Sequence, residues 1–431
     1  MSFRSSENLQ RYEMVRYPLD NVINTNIANN QHQPKNGYKF TINDRSSFYD
    51  WYNAYFEVQF KLNKLDGAGG FPAAVADNTG AITVINGAHS LIEHLVIKSS
   101  GKIIYDTSNL HKVTFVKNLL EYSDDFGRSV AKNSFWYIDT SDDNRAVAAG
   151  TNTGFLTRRL LTAGDKDVNV IIPLNRYSFF EELESRMLPP MQIQLEINLL
   201  NDSELIYKHA DAGNGRVIVN RFLLWVPKMI PKDTIYDKFI SSYLTTSSWK
   251  YNREMYNVSG ATRNSGFFQI SPSIDNVKHV FVYLQRQKTN NIAHNPYLFD
   301  TYKLQVAAND GNVDRYLTTC RLEYGNGIYY PETEYDSESK VRIFNDLMSY
   351  AMRKNDYNTG TQLNLANYNS LYSIIYFNLE FQTDKVTRDP NQLIFRYKIN
   401  ANSGVDFNVH AIVLYEEEVV INKMGNELVI V

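Results

Sequence analysis

A single cysteine, Cys320, in 431 residues rules out an intramolecular disulfide and any metal site built on two thiolates. Charge of one sign is also missing. With 44 basic and 47 acidic residues the net charge is −3, which gives no reason to expect nucleic-acid binding, sequence-specific or otherwise, or a basic membrane-seeking face. No apolar run approaches a membrane span, and the opening residues MSFRSSENLQRYEMVRYPLD lack the apolar core of a signal peptide. Synthesis in a reducing compartment is the expectation, and the sequons at Asn201 and Asn257 are then chance matches. The chain has no GxSxG elbow, Walker-type loop or GxGxxG fingerprint. GAGG at Gly67 and GNG at Gly325 lack the strand-to-helix context that a phosphate loop needs.

What the chain does have is aromatic residues, 30 Tyr and 23 Phe. These suit pleated, half-buried surfaces, and the many Asn, Ser, Thr and Asp suit turns and long loops. The stretch from Val170 to Asn201 is the most informative. An apolar run stops at Pro173, and a short amphipathic segment, Phe179 to Met187, halts at Leu188-Pro189-Pro190. Met191, Ile193, Leu195, Ile197 and Leu199 then alternate with Gln192, Gln194, Glu196 and Asn198. Period two over that length predicts a strand with one buried face.

Residues 1–35 are polar and Asn/Gln-rich, and read as either a disordered tail or an extended N-terminal arm that packs on a neighbour. Strand signals follow at Tyr38–Ile42, Tyr55–Asn63, Ile82–Ile85 and Leu95–Tyr105, the last with a hairpin turn at Ser100-Gly101. Leu110, Val113, Val116 and Leu120 recur at helical spacing, and 123–167 reads as loop. The second half repeats that order. Strands are expected at Arg216–Val226, Val277–Gln285, Tyr302–Ala307, Tyr376–Phe381 (Phe377, Leu379 and Phe381 inward), Leu393–Ile399 and Val405–Tyr415. Phe344, Leu347, Met348 and Ala351 share a helix face, and Glu427–Val431 could add an edge strand. The glycine-containing KHADAGNG, Lys208–Gly215, is the expected boundary. The division is therefore an arm at 1–35, a first unit at 36–210 and a second at 211–431. The fold class is all-β: two tandem eight-stranded jelly-roll sandwiches with short helices in the inter-strand loops.

Candidate chemistry is thin. His89 and His94 are five apart, which is wrong for a helical zinc pair and puts them on opposite faces of a strand. His111, His209, His279, His294 and His410 have no acidic or histidine cluster nearby. Glu181, Glu182 and Glu184 could supply the paired carboxyl groups that glycoside hydrolysis needs, but they lie opposite the Phe180/Leu183/Met187 face and read as a solvated helix face. Glu416-Glu417-Glu418 reads as a turn or a subunit-contact patch. Cys320 reads as a small buried residue, and Tyr372, Tyr376 and Phe377 as core rather than a stacking platform. No residue is assigned to catalysis, to a cofactor or to a metal, and no enzyme activity or cofactor is expected.

Five segments in order carry a resemblance: FYDWYNAYFEVQFKL (48–62), INGAHSLIEHLVIKSSGKIIYD (85–106), IIPLNRYSFF (171–180), LPPMQIQLEINLLND (188–202) and FNVHAIVLYEEEVVI (407–421). Together they resemble the double jelly-roll major capsid proteins of Polinton/Maverick elements, adintoviruses and virophage-like viruses. The resemblance spans most of the chain and is weakest at 123–167 and 252–274, which then read as loops. It implies a capsid subunit that forms homotrimers, pseudo-hexagonal capsomers that contact neighbouring capsomers, penton and minor capsid proteins, and an icosahedral shell. The location implied is the virion, after synthesis in the host-cell cytoplasm; contact with an internal membrane is left open. An arm at 1–35 would then be dispensable for trimers but needed for shell assembly. A carbohydrate-binding or glycoside-processing protein on a jelly-roll scaffold is the competing reading. It requires a concave sheet lined by aromatics, with two facing carboxylates or a calcium site. A spike or minor capsid component is a third.

Overall fold

The alternation at Tyr55–Asn63 becomes a strand whose Phe56, Val58, Phe60 and Leu62 are all buried. A computed structural model describes residues 9–21, 35–44, 47–65, 69–72, 78–145, 150–184, 186, 188–238, 248–260, 265–286, 295–299, 301, 317–325, 327–336, 339–354, 360–381, 390–399, 407–422 and 427–430.

In chain order the first strands are β1 (Leu9–Pro18), β2 (Tyr38–Ile42), β3 (Phe48–Tyr49), β4 (Tyr55–Lys64), β5 (Ile82–Val84), β6 (Ile92–Ser99) and β7 (Lys102–Thr107). They are followed by β8 (Val168–Pro173), β9 (Ile193–Leu199), β10 (Ile206–Lys208) and β11 (Gly215–Pro231). One sheet runs β1-β11-β4-β8, with β3 also on β11, and the sheet facing it runs β2-β9-β6-β7; β5 and β10 pair separately. The second set is β12 (Ser248–Ser259), β13 (Ser265–Ile274), β14 (Val277–Arg286), β15 (Leu317–Tyr324), β16 (Tyr329–Asp336), β17 (Ile375–Asn378), β18 (Asn391–Ile399), β19 (Phe407–Asn422) and β20 (Glu427–Ile430). Its sheets run β12-β19-β14-β17, with β20 on β19, and β13-β18-β15-β16.

Setting aside the short β3, β5, β10 and β20, each half orders its eight strands identically. One sheet holds the first, eighth, third and sixth, and the other the second, seventh, fourth and fifth. That is the jelly-roll order, twice. Between the sheets of the first roll, Phe40 packs on Phe56 and Phe222 with ring centroids 5.6 and 5.5 Å apart. In the second, Phe377 meets Phe395 at 6.1 Å. In both rolls a helix follows the fifth strand: Leu110–Glu121 after β7 and Lys340–Lys354 after β16.

The Ser100-Gly101 turn joins β6 to β7 with φ of 49° and 85°, the doubly positive pair of a type I′ hairpin. The alternation after the prolines is β9, buried at every second position.

Several expectations need correction. Leu9–Pro18 is not an arm: it pairs antiparallel with β11 from Leu9↔Pro231 to Pro18↔Leu223, as the first strand of the first roll. Residues 1–8 and 22–34 lie outside the described set. The boundary is not at 210. β11 pairs with β1 and β4, so the first roll runs to at least Pro231, and Lys208–Gly215 is a connection inside it. The stretch 252–274 is mostly strand, β12 and β13. The loop at 123–167 contains the helices Asp124–Arg128 and Thr153–Thr162, whose Ser123 and Asn152 caps accept from Phe126 and Phe155 backbone N–H groups. Phe381, expected inward, is 75% exposed beyond the end of β17. The short helix spans only Ser178–Glu181. The expected strand at 302–307 and Met187 lie outside the described residues.

Candidate functional site at the junction of the two jelly rolls

The Leu110–Glu121 helix buries every residue but Lys112, because the second roll covers the side that its own roll leaves open. Lys117 is therefore a cation in a closed interface. Its Nζ lies 2.9 Å from Glu181 Oε2, 3.0 Å from Ser178 Oγ and 3.8 Å from Glu254 Oε1. Glu254, on β12 of the second roll, accepts from the Tyr105 hydroxyl and the Ser178 N–H, both at 2.9 Å. One turn along, Glu121 accepts from the Tyr350 hydroxyl at 2.9 Å and pairs with Arg176. Burial alone would lower the Lys117 pKa, but Glu181, Glu121 and Glu254 outweigh it and hold the ammonium above its ordinary value. Buried charges survive when paired and hydrogen-bonded on all sides, as these are.

A second seal lies at Asp139. Arg158 holds its carboxylate through two contacts, at 2.9 and 3.2 Å. From the second roll, Asn295 Nδ2 donates to the same carboxylate at 2.6 Å, and the Tyr372 hydroxyl to the Asp139 carbonyl at 2.7 Å. Phe115 and Tyr297 stack across the junction, 3.9 Å apart and nearly parallel at 4°. Trp136 Nε1 donates to Gln362 Oε1 at 2.8 Å. At the β12 edge, Trp249 and Tyr251 pack on Phe179 at 6.1 and 5.8 Å. Arg253 donates to the Asp106 carbonyl at 2.7 Å.

The residues singled out in the sequence fall in different places. Glu181 is not a solvated face but an ion-pair partner of buried Lys117, because its short helix abuts the Leu110–Glu121 helix; Glu184 is exposed as expected. Glu416-Glu417-Glu418 is not a turn but lies within β19. There Glu416 pairs with Lys250 and Lys278, and Glu417 with Arg253 and Tyr251. His89 is buried beside Phe115 and Trp136, while His94 bonds Asp106 at 2.6 Å on a different element. His279 and His410 bond the Tyr376 and Tyr256 hydroxyls, and His294 lies outside the described residues. Cys320 is buried on β15, and Tyr372, Tyr376 and Phe377 are core. Gly325 and Gly327 lie in the β15–β16 hairpin connection. Among the described residues no three His, Cys, Asp or Glu are grouped to hold a metal.

A polar pocket of about 400 Å³ opens beside the junction, lined in part by Lys132, Tyr137, Thr140, Thr153, Gln362 and Asn364. Its polar groups bond each other or nearby backbone: Thr140 with Thr153, Lys132 with the Trp136 carbonyl, and Asn364 as a helix cap.

Lys117, Arg176, Glu254 and Tyr350 escaped the sequence reading. One signal was present. Lys117 sits four residues after Val113 and four before Glu121, so an ammonium interrupts the apolar stripe.

No family model matches the chain, and no curated protein matches it. Solved structures do. A chain of the Sputnik virophage cryo-EM structure matches with a TM-score of 0.62 at 10% identity, over 100% of this chain and 90% of that one. The mavirus major capsid protein matches with a TM-score of 0.58 at 10% identity, over 97% and 90%. The Faustovirus major capsid protein gives 0.54 at 11% identity, over 96% and 90%. The chain has the double jelly-roll fold. In this double jelly roll, Glu254, Tyr350, Asn295 and Tyr372 lock the second roll onto the first.

Proposed function

We propose that the chain is a major capsid protein, a structural subunit whose activity is self-assembly. The observation that carries this reading is the whole-length likeness to the mavirus and Faustovirus major capsid proteins, both rolls included. The junction supports it physically. Two rolls locked by buried ion pairs and stacked rings form a rigid block, and rigid blocks tile with defined angles. In the proposal three copies form a pseudo-hexagonal capsomer, and capsomers tile an icosahedral shell with penton and minor capsid proteins. The protein resides in the virion after synthesis in the host cytoplasm and catalyses no reaction of its own. Negative-stain imaging of the purified chain tests this. Hexagonal-outlined particles or closed shells are expected. A stable monomer that binds glycans overturns it.

A further inference from the structure

The polar pocket beside the junction is lined by the connection between the fifth and sixth strands of each roll. Arg128, Lys132, Tyr137 and Thr153 come from the first roll, between β7 and β8, and Gln362 and Asn364 from the second, between β16 and β17. The two walls are fixed to each other. Asp124 N–H donates to the Gly360 carbonyl at 3.1 Å, and a Cβ on Gly127 would meet the Gln362 side chain, whose Oε1 accepts from Trp136. At about 400 Å³ the space lies within the range of small-ligand pockets.

The bonds already made in this pocket leave mainly donors over. Asp124 turns both carboxylate oxygens to Arg128 Nε, at 2.9 and 2.8 Å, so the Nη1/Nη2 fork of that exposed guanidinium has no partner among the described residues. Lys132 Nζ is held 4.3 Å from the Tyr137 ring centroid by one bond to the Trp136 carbonyl at 2.8 Å. It has no ion-pair partner among the described residues. Burial, and then the charges of Arg128 and Arg158, lower its pKa from the ordinary lysine value. Asn364 uses Oδ1 to cap the Leu365–Ser370 helix, accepting from the Ala366 and Asn367 N–H groups at 3.0 Å. Its Nδ2 bonds nothing among the described residues. A free guanidinium fork, an unpaired ammonium and an amide N–H around one space match a tetrahedral oxyanion in charge and in hydrogen bonding.

We propose that this pocket binds a small molecule carrying a phosphate or sulfate group, held by Arg128 and Lys132 of the first roll and Asn364 of the second. The site is complete within one chain, so it does not depend on the self-assembly reading. Because its two walls belong to different rolls, a bound anion ties them together and stabilises the folded chain by mass action.

The test titrates the full-length protein by calorimetry with inorganic phosphate, inorganic sulfate and glycerol 3-phosphate, with glycerol as the neutral control. Low ionic strength keeps the attraction least screened. At least one anion is expected to bind and to raise the melting temperature, and glycerol to do neither. The preferred anion identifies the group, and glycerol 3-phosphate binding more tightly than inorganic phosphate identifies an ester. Arg128→Gln changes an exposed position, and Asn364→Asp keeps a capping oxygen while replacing the free amide N–H with a carboxylate. Each should leave the unliganded melting temperature unchanged and weaken binding about tenfold or more, the loss of one charge-assisted hydrogen bond. No binding of any of the three anions at millimolar concentration overturns the site, as does wild-type affinity in either variant.

Discussion

Tyr350 of the second roll donates its hydroxyl proton to Glu121 of the first across 2.9 Å, and both side chains are buried. The Tyr350 ring also packs edge-on against His279 and Phe281, each at 5.0 Å, so Tyr350→Phe deletes the bond while leaving the packing. Losing one hydrogen bond to a buried carboxylate costs about 1.5–3 kcal/mol. An unfolding free energy lowered by that amount, read as a lower chemical-denaturation midpoint at unchanged slope, is the expected outcome.

Lys117→Met should cost more. It leaves Glu181 and Glu254 facing each other without their ammonium, and breaking a buried pair from one side costs about 3–5 kcal/mol. Adding Glu254→Gln should recover part of that loss, and a double-mutant cycle on unfolding free energies reads the coupling.

The junction should also limit stability in acid. His89 is fully enclosed, and burial, with the Arg176 charge adding to it, pushes its imidazole down to about 3. His111 is lowered in the same direction by burial, Lys112 and His89, so its 4.0 Å approach to Glu204 is not an ion pair at neutral pH. Groups with a depressed folded pKa contribute stability that is complete above their unfolded value, near 6.5, and is lost as pH falls below it. At about 1.4 kcal/mol per pH unit, His89 alone removes roughly 3 kcal/mol by pH 4. Urea midpoints measured from pH 7.5 down to 4.5 should fall, and His89→Phe should flatten that limb.

Gly154 marks a close backbone approach. A Cβ there would lie 2.1 Å from the Ile138 carbonyl oxygen and 2.8 Å from that of Tyr137. Both are backbone atoms just before Asp139, so Gly154→Ala must displace the Asp139 carboxylate that Arg158 and Asn295 hold and the Asp139 carbonyl that accepts from Tyr372. Thermal unfolding should show a loss of about 2 kcal/mol or more, in line with other overpacked sites.

What could be read from the sequence follows from burial on one face. β4 and β9 are buried on alternate residues, so period two stood out, and both long helices showed their apolar stripes. β1 was illegible because no residue of it is buried within the chain, and its LQRYEMVRYP looks like a polar tail. β12 was missed for a related reason. Its Trp249, Tyr251 and Glu254 are buried by another roll rather than by a regular inner face. Glu181 was misread because its partner Lys117 is 64 residues away in sequence. The arm reading predicted that deleting 1–35 would spare trimers. With Leu9–Pro18 inside the sheet as the first strand of the first roll, that deletion should abolish them.

The central claim is tested most directly by the solution mass of the purified full chain. One chain weighs 49.7 kDa, so a trimer should scatter as about 149 kDa, three times that mass. A stable species at 49.7 kDa at every concentration tested would contradict the account.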